Sequence, residues 1–348
     1  AALDMVDYVA VNKWPTAVEA LRAIRPSVYV KGPDYKEAAQ DITGGITQEE
    51  AAVRAGGGVI AFTESETFSS SAIINRHVPL FGPEVSAYLD AFRHRHAAAE
   101  LVSHLDSLRK LRVLVVGEAI IDEYVYCDAL GKSSKEPVLV MKYLSQARHA
   151  GGSLAVANHI ASFCDNVHLV TYLGADNSHE AFIRQNLNPS VRLSSVMKAA
   201  SPTIVKRRFV DSYSAAKMAA VYEFNDQLLA PDEEAQVIEA IERSLPEVDL
   251  VLASDFGHGL ITPAIADLLS AKAPFFVMNA QINAANVGFH TISKYRHADY
   301  VCIHEGEIRL DTRSRTGDLR TLVADVARRL GSSTIMMRQG TAPSLRHA

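Results

Sequence analysis

Cysteine is scarce. The 348-residue chain has three, Cys127, Cys164 and Cys302, far apart and without CxxC spacing, which excludes a disulfide framework and a zinc ribbon and fits a reducing, cytoplasmic setting. Long apolar runs are also lacking: nothing approaches the ~18 residues that cross a bilayer. The start, Ala1-Ala2-Leu3-Asp4-Met5, has no basic stretch followed by an apolar one, so neither a membrane partner nor a leader is expected. Positive charge is not in excess. Lys plus Arg number 35 against 40 Asp plus Glu, a net charge of −5, which argues against nucleic acid as a partner but leaves room for a local site for a small anion. The G-x-G-x-x-G fingerprint is missing too, which removes a nicotinamide-linked oxidoreductase.

What is present is ordinary globular composition, 48% hydrophobic and 22% charged, with no tandem repeat. At roughly 150 residues per domain the length predicts two domains. Residues 6–11, 27–30 and 59–62 are β-rich, and residues 16–24 and 47–55 have helical spacing, so residues 1–80 read as a parallel α/β unit. Residues 81–110 read as one connecting helix, with Val85, Leu89 and Phe92 and then Leu101, Leu105 and Leu108 on its apolar side. His94, His96 and His104 on that stretch read as solvated residues, since neighbours two apart face different sides.

A second α/β series fills residues 111–348. It opens with the buried-strand run 112–117 and continues with strands near 167–172, 203–210, 218–223, 250–253, 275–279, 300–303 and 334–337. Helices are expected at 152–163, 232–244, 263–271 and 318–330. The segments near 126–143 and 203–223 pair without intervening helices, which predicts a small β-layer serving as a lid. The tail 341–348 does not read as a strand.

Several loops have the chemistry of anion sites. Lys31-Gly32-Pro33-Asp34-Tyr35 follows a strand, where the lysine could neutralise a phosphate and the glycine admits close backbone approach; a plain turn is the competing reading. Ser69, Ser70 and Ser71 fall at an expected helix N-terminus, which offers free N–H groups and hydroxyls, although simple capping needs only one of them. Together, Val28-Tyr29-Val30-Lys31-Gly32-Pro33-Asp34-Tyr35 and Glu66-Thr67-Phe68-Ser69-Ser70-Ser71 resemble the C-terminal half of nucleotidyltransferases related to glycerol-3-phosphate cytidylyltransferase and the heptose-phosphate nucleotidyltransferases. The resemblance implies that Lys31, Gly32, Asp34, Ser69, Ser70 and Ser71 bind the nucleotide. The family's His-x-Gly-His motif has no counterpart here; its place is upstream of Ala1.

In the second series, Asp122 follows the opening strand and could accept bonds from sugar hydroxyls or simply face water. Gly151 and Gly152 precede a small-residue helix, and Ser254-Asp255-Phe256-Gly257-His258-Gly259 follows a strand, the place for ligand loops in a doubly wound sheet. In order, Gly117-Glu118-Ala119-Ile120-Ile121-Asp122, Gly151-Gly152, Thr203-Ile204-Val205-Lys206, the Asp255 segment and Met337-Arg338-Gln339-Gly340 resemble ribokinase-like (PfkB-type) sugar kinases, most closely the heptose-phosphate kinase type. The resemblance implies a ribokinase-like α/β domain with a β lid, C-terminally incomplete. It implies that Asp122, Gly151, Gly152, Lys206 and Asp255 bind the sugar and that Asn279, Glu307 and Arg338 serve the nucleotide. It also implies a Mg²⁺ ion that Glu307 reaches through water, ATP or another nucleoside triphosphate as co-substrate, and a homodimer through the lid.

This chain departs from that family at several positions. Ala155 stands where the family has an asparagine, His304 replaces the asparagine of Asn-x-x-Glu, and Asn279-Ala280-Gln281 replaces Asp-Pro-Lys. No catalytic residue is assigned within the chain, because the family's Gly-x-Gly-Asp motif, whose aspartate is the general base, belongs beyond Ala348. Asp318 mimics it locally but reads as a helix cap. The expectation is a fragment of a bifunctional sugar kinase and sugar-phosphate nucleotidyltransferase with little turnover by itself. The alternative is a noncatalytic sugar- or nucleotide-binding scaffold or sensor. On the enzyme reading Asp122, Gly152 and Glu307 should line one hollow.

Overall fold

The computed structural model describes residues 5–14, 16–32, 45–63, 81–339 and 345–347. The chain divides into two compact units, residues 1–91 and 92–348.

In the first unit, helix α1 (Val18–Ile24) leads to strand β1 (Val28–Lys31), and helix α2 (Ile46–Ala55) leads to strand β2 (Val59–Phe62). The two strands pair in parallel from Val28 opposite Val59 to Lys31 opposite Phe62. Val18 and Leu21 of α1 meet Ala52 and Val53 of α2 in a buried cluster, against which Tyr29 of β1 packs. Residues 6–11 form no strand, contrary to their composition. Tyr8 and Val11 are almost fully exposed, and β-propensity without a paired neighbour or a buried face does not make a strand.

The expected single helix over 81–110 is two, α3 (Pro83–Arg95) and α4 (Ala98–Ser107), followed by a 3₁₀ turn at Leu108–Lys110. Ala97 between them is extended. Phe92 and Leu101 are nine residues apart, so in one continuous helix their apolar stripes would lie about 180° apart. The break resets that phase.

The remainder of the second unit is built on a central sheet and a lid. The sheet contains β3 (Arg112–Gly117), β6 (Asn166–Gly174), β7 (Val191–Lys198), β10 (Leu250–Asp255), β11 (Phe276–Ala280), β12 (Tyr300–His304), β13 (Thr334–Arg338) and β14 (Leu345–His347). Its order is β14-β13-β12-β11-β10-β3-β6-β7, parallel throughout except β14, which runs antiparallel to β13. The tail therefore does continue the sheet. Helices α5 (Ser153–Ile160), α6 (Glu180–Asn186), α7 (Pro231–Ser244), α8 (Pro263–Lys272), α9 (Glu305–Asp311) and α10 (Leu319–Leu330) connect the strands. Alternate residues of β3 serve opposite faces: Leu114 and Val116 belong to one buried cluster, Val113 and Val115 to the other. That two-sided burial is why the run reads as continuously apolar. Asp318 caps α10 by accepting from the Thr321 N–H at 2.9 Å.

The lid is a four-stranded sheet of β4 (Ala119–Lys132), β5 (Leu139–Gly152), β8 (Ile204–Asp211) and β9 (Lys217–Glu223), in the order β5-β4-β8-β9. The chain leaves β3 towards β6 and β7 on one side, while β10 to β13 extend on the other. The sheet order thus reverses between β3 and β10, and the carboxyl ends of these two strands, faced by the lid, are where doubly wound sheets place a ligand crevice.

Candidate functional site

The floor of the crevice is a buried ionic cluster. Glu118, immediately after β3, is fully buried and accepts from two backbone N–H groups beyond β10, those of Phe256 (2.9 Å) and His258 (3.0 Å). One carboxylate therefore ties the ends of both strands together. Burial and the nearby charge of Asp255 push the Glu118 carboxyl up to about 7. Asp255, at the end of β10, accepts from the Tyr295 hydroxyl at 2.5 Å, pairs with the Lys294 ammonium at 2.5 Å and has the His290 Nε2 atom at 3.4 Å. Burial, then the Asp255 charge, holds the Tyr295 phenol well above its ordinary value. His258 is pushed down to about 4 by burial, then by the Lys206 ammonium and the neighbouring His290 imidazole.

The lid supplies the opposite wall. Asp122 on β4 stands directly across from His149 on β5 and Lys206 on β8, Tyr124 from Arg208, and Lys206 from Tyr222 on β9. Directly opposed residues share a face, so these groups look the same way. Arg208 donates to Asp122 at 2.5 Å and lies over the Tyr124 ring. Lys206 lies over the rings of Tyr222 and, from the floor, Phe256, which brings this lid face against the crevice. Burial draws the Lys206 ammonium below its ordinary value, opposed by Asp122.

Gly151 and Gly152 shape the junction of lid and floor. A β-carbon on Gly152 would fall 2.6 Å from the Glu118 carbonyl oxygen, and its φ of +56° lies in the left-handed region, which glycine tolerates without strain. The Ser153 N–H, at the start of α5, donates to the same carbonyl.

Of the sugar-side residues read from the sequence, Asp122, Gly151, Gly152 and Lys206 surround this junction. Asp255 is there too, but as a sequestered anion: it is 1% exposed and engaged by Lys294, Tyr295 and the Gly257 N–H. It positions the turn after β10 through the Gly257 N–H, and its oxygens are held by Lys294 and Tyr295. A buried charge persists only when paired, and this one is.

The nucleotide-side residues occupy the next stretch of the same carboxyl edge. The Asn279 side chain, at the end of β11, donates to the Cys302 carbonyl at 2.7 Å. Glu307, in the first turn of α9, accepts from the His304 N–H (2.7 Å) and the Ile282 N–H (3.3 Å). Arg338 ends β13, opposite His304 of β12, with its side chain exposed. Glu307 is joined to Asp122 and Gly152 only in steps, through Ile282, then Asn283, which donates to the Phe256 carbonyl at 2.8 Å, then Phe256 and Lys206. Each oxygen of Glu307 thus accepts one backbone N–H, and among the described residues no three His, Cys, Asp or Glu side chains converge as metal ligands.

In the first unit, Lys31 ends β1, pairs with Glu49 at 2.7 Å and is followed by Gly32; Tyr29 donates to the same carboxylate. Asp34, Ser69, Ser70 and Ser71 lie outside the described residues. Sequence reasoning passed over Glu118, although it directly follows the glycine closing the first buried strand, and it passed over Arg208, Lys294, Tyr295 and Asn283. A separate hollow of about 350 Å³ lies at the amino end of the strands, lined by Arg112, His168, Arg192 and Glu247. There Arg192 pairs with Glu247 and touches His168, so its polar groups satisfy one another.

No protein-family model matches the chain. It is 25% identical over 241 residues to the bifunctional protein HldE of Koribacter versatilis, covering 66% of this chain and 46% of that protein. It is 29% identical over 168 residues to HldE of Vibrio vulnificus, covering 47% and 34%. With HldE of Proteus mirabilis it shares 30% over 158 residues, covering 45% and 32%. The matches thus span half or less of these relatives. Phosphofructokinase-2 from Escherichia coli, solved with fructose-6-phosphate, superimposes with a TM-score of 0.54 at 13% identity, over 68% of this chain and 77% of that one. The same enzyme with substrates and products gives 0.53. The sequence is similar to bifunctional HldE proteins, and over about two thirds of the chain the fold is similar to that of Escherichia coli phosphofructokinase-2, in keeping with the ribokinase-like α/β fold that the spaced motifs implied.

Proposed function

We propose that this chain is part of a bifunctional cytoplasmic enzyme, with residues 111–348 forming a ribokinase-like sugar kinase domain and residues 1–80 part of a cytidylyltransferase-like domain, joined by residues 81–110. The reaction of the larger unit is phosphoryl transfer from ATP to a sugar or sugar phosphate. The smaller unit would belong to nucleotidyl transfer onto a sugar phosphate. One observation carries the reading: the lid face bearing Asp122, Lys206 and Arg208 stands against a buried floor at the point where the sheet order reverses. That arrangement offers a carboxylate for sugar hydroxyls and cations for an anionic group, in a site partly screened from water.

Asp122 would accept from substrate hydroxyls, leaving Arg208 to turn between it and an anionic substituent. Asn279, Glu307 and Arg338 would flank ATP, Arg338 as the cation nearest its phosphates. Glu307, each of whose oxygens accepts one backbone N–H and keeps a further lone pair, would reach a Mg²⁺ ion through water. A Mg²⁺ ion entering with ATP would take its oxygens from the phosphates and water. The outer lid, where Leu130, Val138, Tyr143 and Leu144 are exposed, would cover its open strand edges with a second copy of the chain.

A scaffold that binds without turnover is the second reading. His304 favours it: in place of the family's asparagine it accepts from the Gly306 N–H and caps α9. Calorimetry of residues 1–348 with hexose and heptose phosphates tests both. The expected result is binding that Asp122→Asn weakens at least about tenfold, the loss of one charge-assisted contact. The absence of binding, or binding indifferent to Asp122, would overturn the assignment of this crevice. ADP release in the presence of a bound sugar phosphate separates enzyme from scaffold.

A further inference from the structure

The lid is joined to the central layer by two outer crossings, residues 199–203 from β7 into β8 and residues 224–230 from β9 to α7. Lys198, the last residue of β7, lies where they meet and is 2% exposed. Its ammonium donates to the carbonyls of Asn225 (2.9 Å) and Gln227 (2.5 Å) and lies over the Tyr172 ring at 5.0 Å. No carboxylate pairs with it among the described residues. Further ties join the same segments. The Asn225 side chain donates to the Ala200 carbonyl at 3.2 Å, and Glu233 accepts from the N–H groups of Ala199 (2.7 Å) and Ala230 (2.9 Å).

The returning crossing also rests on the crevice floor. Gly259, at φ +93°, would place a β-carbon 2.3 Å from the Gln227 carbonyl oxygen. The Phe224 ring packs on His258 at 5.1 Å, and the Tyr172 hydroxyl beneath Lys198 donates to the His258 carbonyl at 3.1 Å. Burying an ammonium with no carboxylate in contact is costly, Glu233, Glu118 and Asp226 acting on it only from a distance, and a methionine would fill the same space without that cost. The cation therefore does something that packing does not.

We infer that Lys198 is a positioning residue: by holding the carbonyls of residues 225 and 227 it fastens the lid's two outer crossings to each other above the His258–Gly259 turn, and so sets the height of the lid over the floor. The clamp stands on geometry alone; its consequence for ligand binding rests on the sugar-kinase reading. Hydrogen exchange of residues 1–348, resolved by mass spectrometry, tests it. Lys198→Met should speed exchange at residues 225–229 about tenfold while β3, β6 and β10 keep their protection, as for a local opening, and Lys198→Arg should restore most of the loss. Sugar-phosphate affinity should fall several-fold in the methionine variant and recover in the arginine variant, following the fraction of chains with the lid in place. Unchanged exchange at 225–229 in Lys198→Met would overturn the clamp. Faster exchange with unchanged affinity would uphold the clamp and count against the ligand reading. Should the methionine variant not fold, reductive methylation of the unaltered chain decides: Lys198 should resist it while the exposed Lys132 and Lys135 react, and modification of Lys198 at their rate would overturn the inference.

Discussion

A β-carbon placed on Gly151 would lie 2.1 Å from the Oδ2 atom of Asp122, so the smallest residue on β5 is what lets the carboxylate on β4 lie flat against its neighbour strand and meet Arg208. Gly151→Ala should push Asp122 out of that position. The expected cost is about 1–3 kcal/mol of stability, the range for overpacking. Sugar-phosphate affinity should fall as far as it does in Asp122→Asn. Paired melting and calorimetry measure both, and an alanine variant binding like the parent would show that Asp122 does not act from this position.

Glu118 provides a pH signature. Its carboxyl is raised from the ordinary carboxylate range to about 7, so between the two the folded chain holds a proton that the unfolded chain has lost. Its contribution to stability is present below the unfolded value and disappears as pH rises towards 7. His168 and His258, both lowered to about 4, work in the opposite sense, since the unfolded chain binds their protons first. The test is a difference. Urea unfolding from pH 4.5 to 7 should show Glu118→Gln losing less stability, or gaining more, than the parent as pH rises, by a few kcal/mol over the window. Parallel curves would sink the assignment.

Glu123 lies on the other side of β4 from Asp122, buried between Arg148 and Arg207. Burial raises its carboxyl, but the bonds from Arg207 and Arg148 outweigh that and leave it below its ordinary value. Both arginines are part-exposed, so the penalty for stranding them is discounted for solvent. Glu123→Ala should cost about 2 kcal/mol. The contribution is present above the ordinary carboxylate range and lost as pH falls through the lowered value, so the deficit should shrink in acid. A chemical-denaturation series at pH 7 and at pH 3 checks it.

Arg338 is exposed at the end of β13, and its removal should leave stability within about 0.5 kcal/mol. ATP affinity should nonetheless drop about five- to tenfold on Arg338→Ala if that edge of the sheet receives the phosphates. Fluorescence titration with a labelled ATP analogue, beside a thermal melt, separates the two effects.

Leu144→Asp on the outer lid should convert a dimer to a monomer by placing a charge in an apolar contact. Light scattering of parent and variant gives the masses. A parent chain that is monomeric at micromolar concentration would remove the lid contact from the proposal.

Much of the layout was legible in the chain because it depends on near neighbours. Arg112 to Gly117 reads as a strand because both its faces are buried, and residues 232–244 and 318–330 show the 3.6-residue period of a helix packed on one side. Edge elements were not legible: β7 alternates weakly, with one flank unpaired, and residues 345–347 become a strand only because β13 offers them hydrogen bonds. Asp122, Gly151 and Lys206 were recognisable through their spaced motifs. What tertiary structure alone decided is which distant groups meet: Glu118 with the His258 N–H 140 residues away, Lys198 with the carbonyls of 225 and 227, and Asp255 with Lys294 and Tyr295. Strand period and helix phase are set by residues a few positions apart, whereas the partner of a buried charge is chosen by chain topology, since any carboxylate brought into the interior must find its donors wherever the fold has carried them.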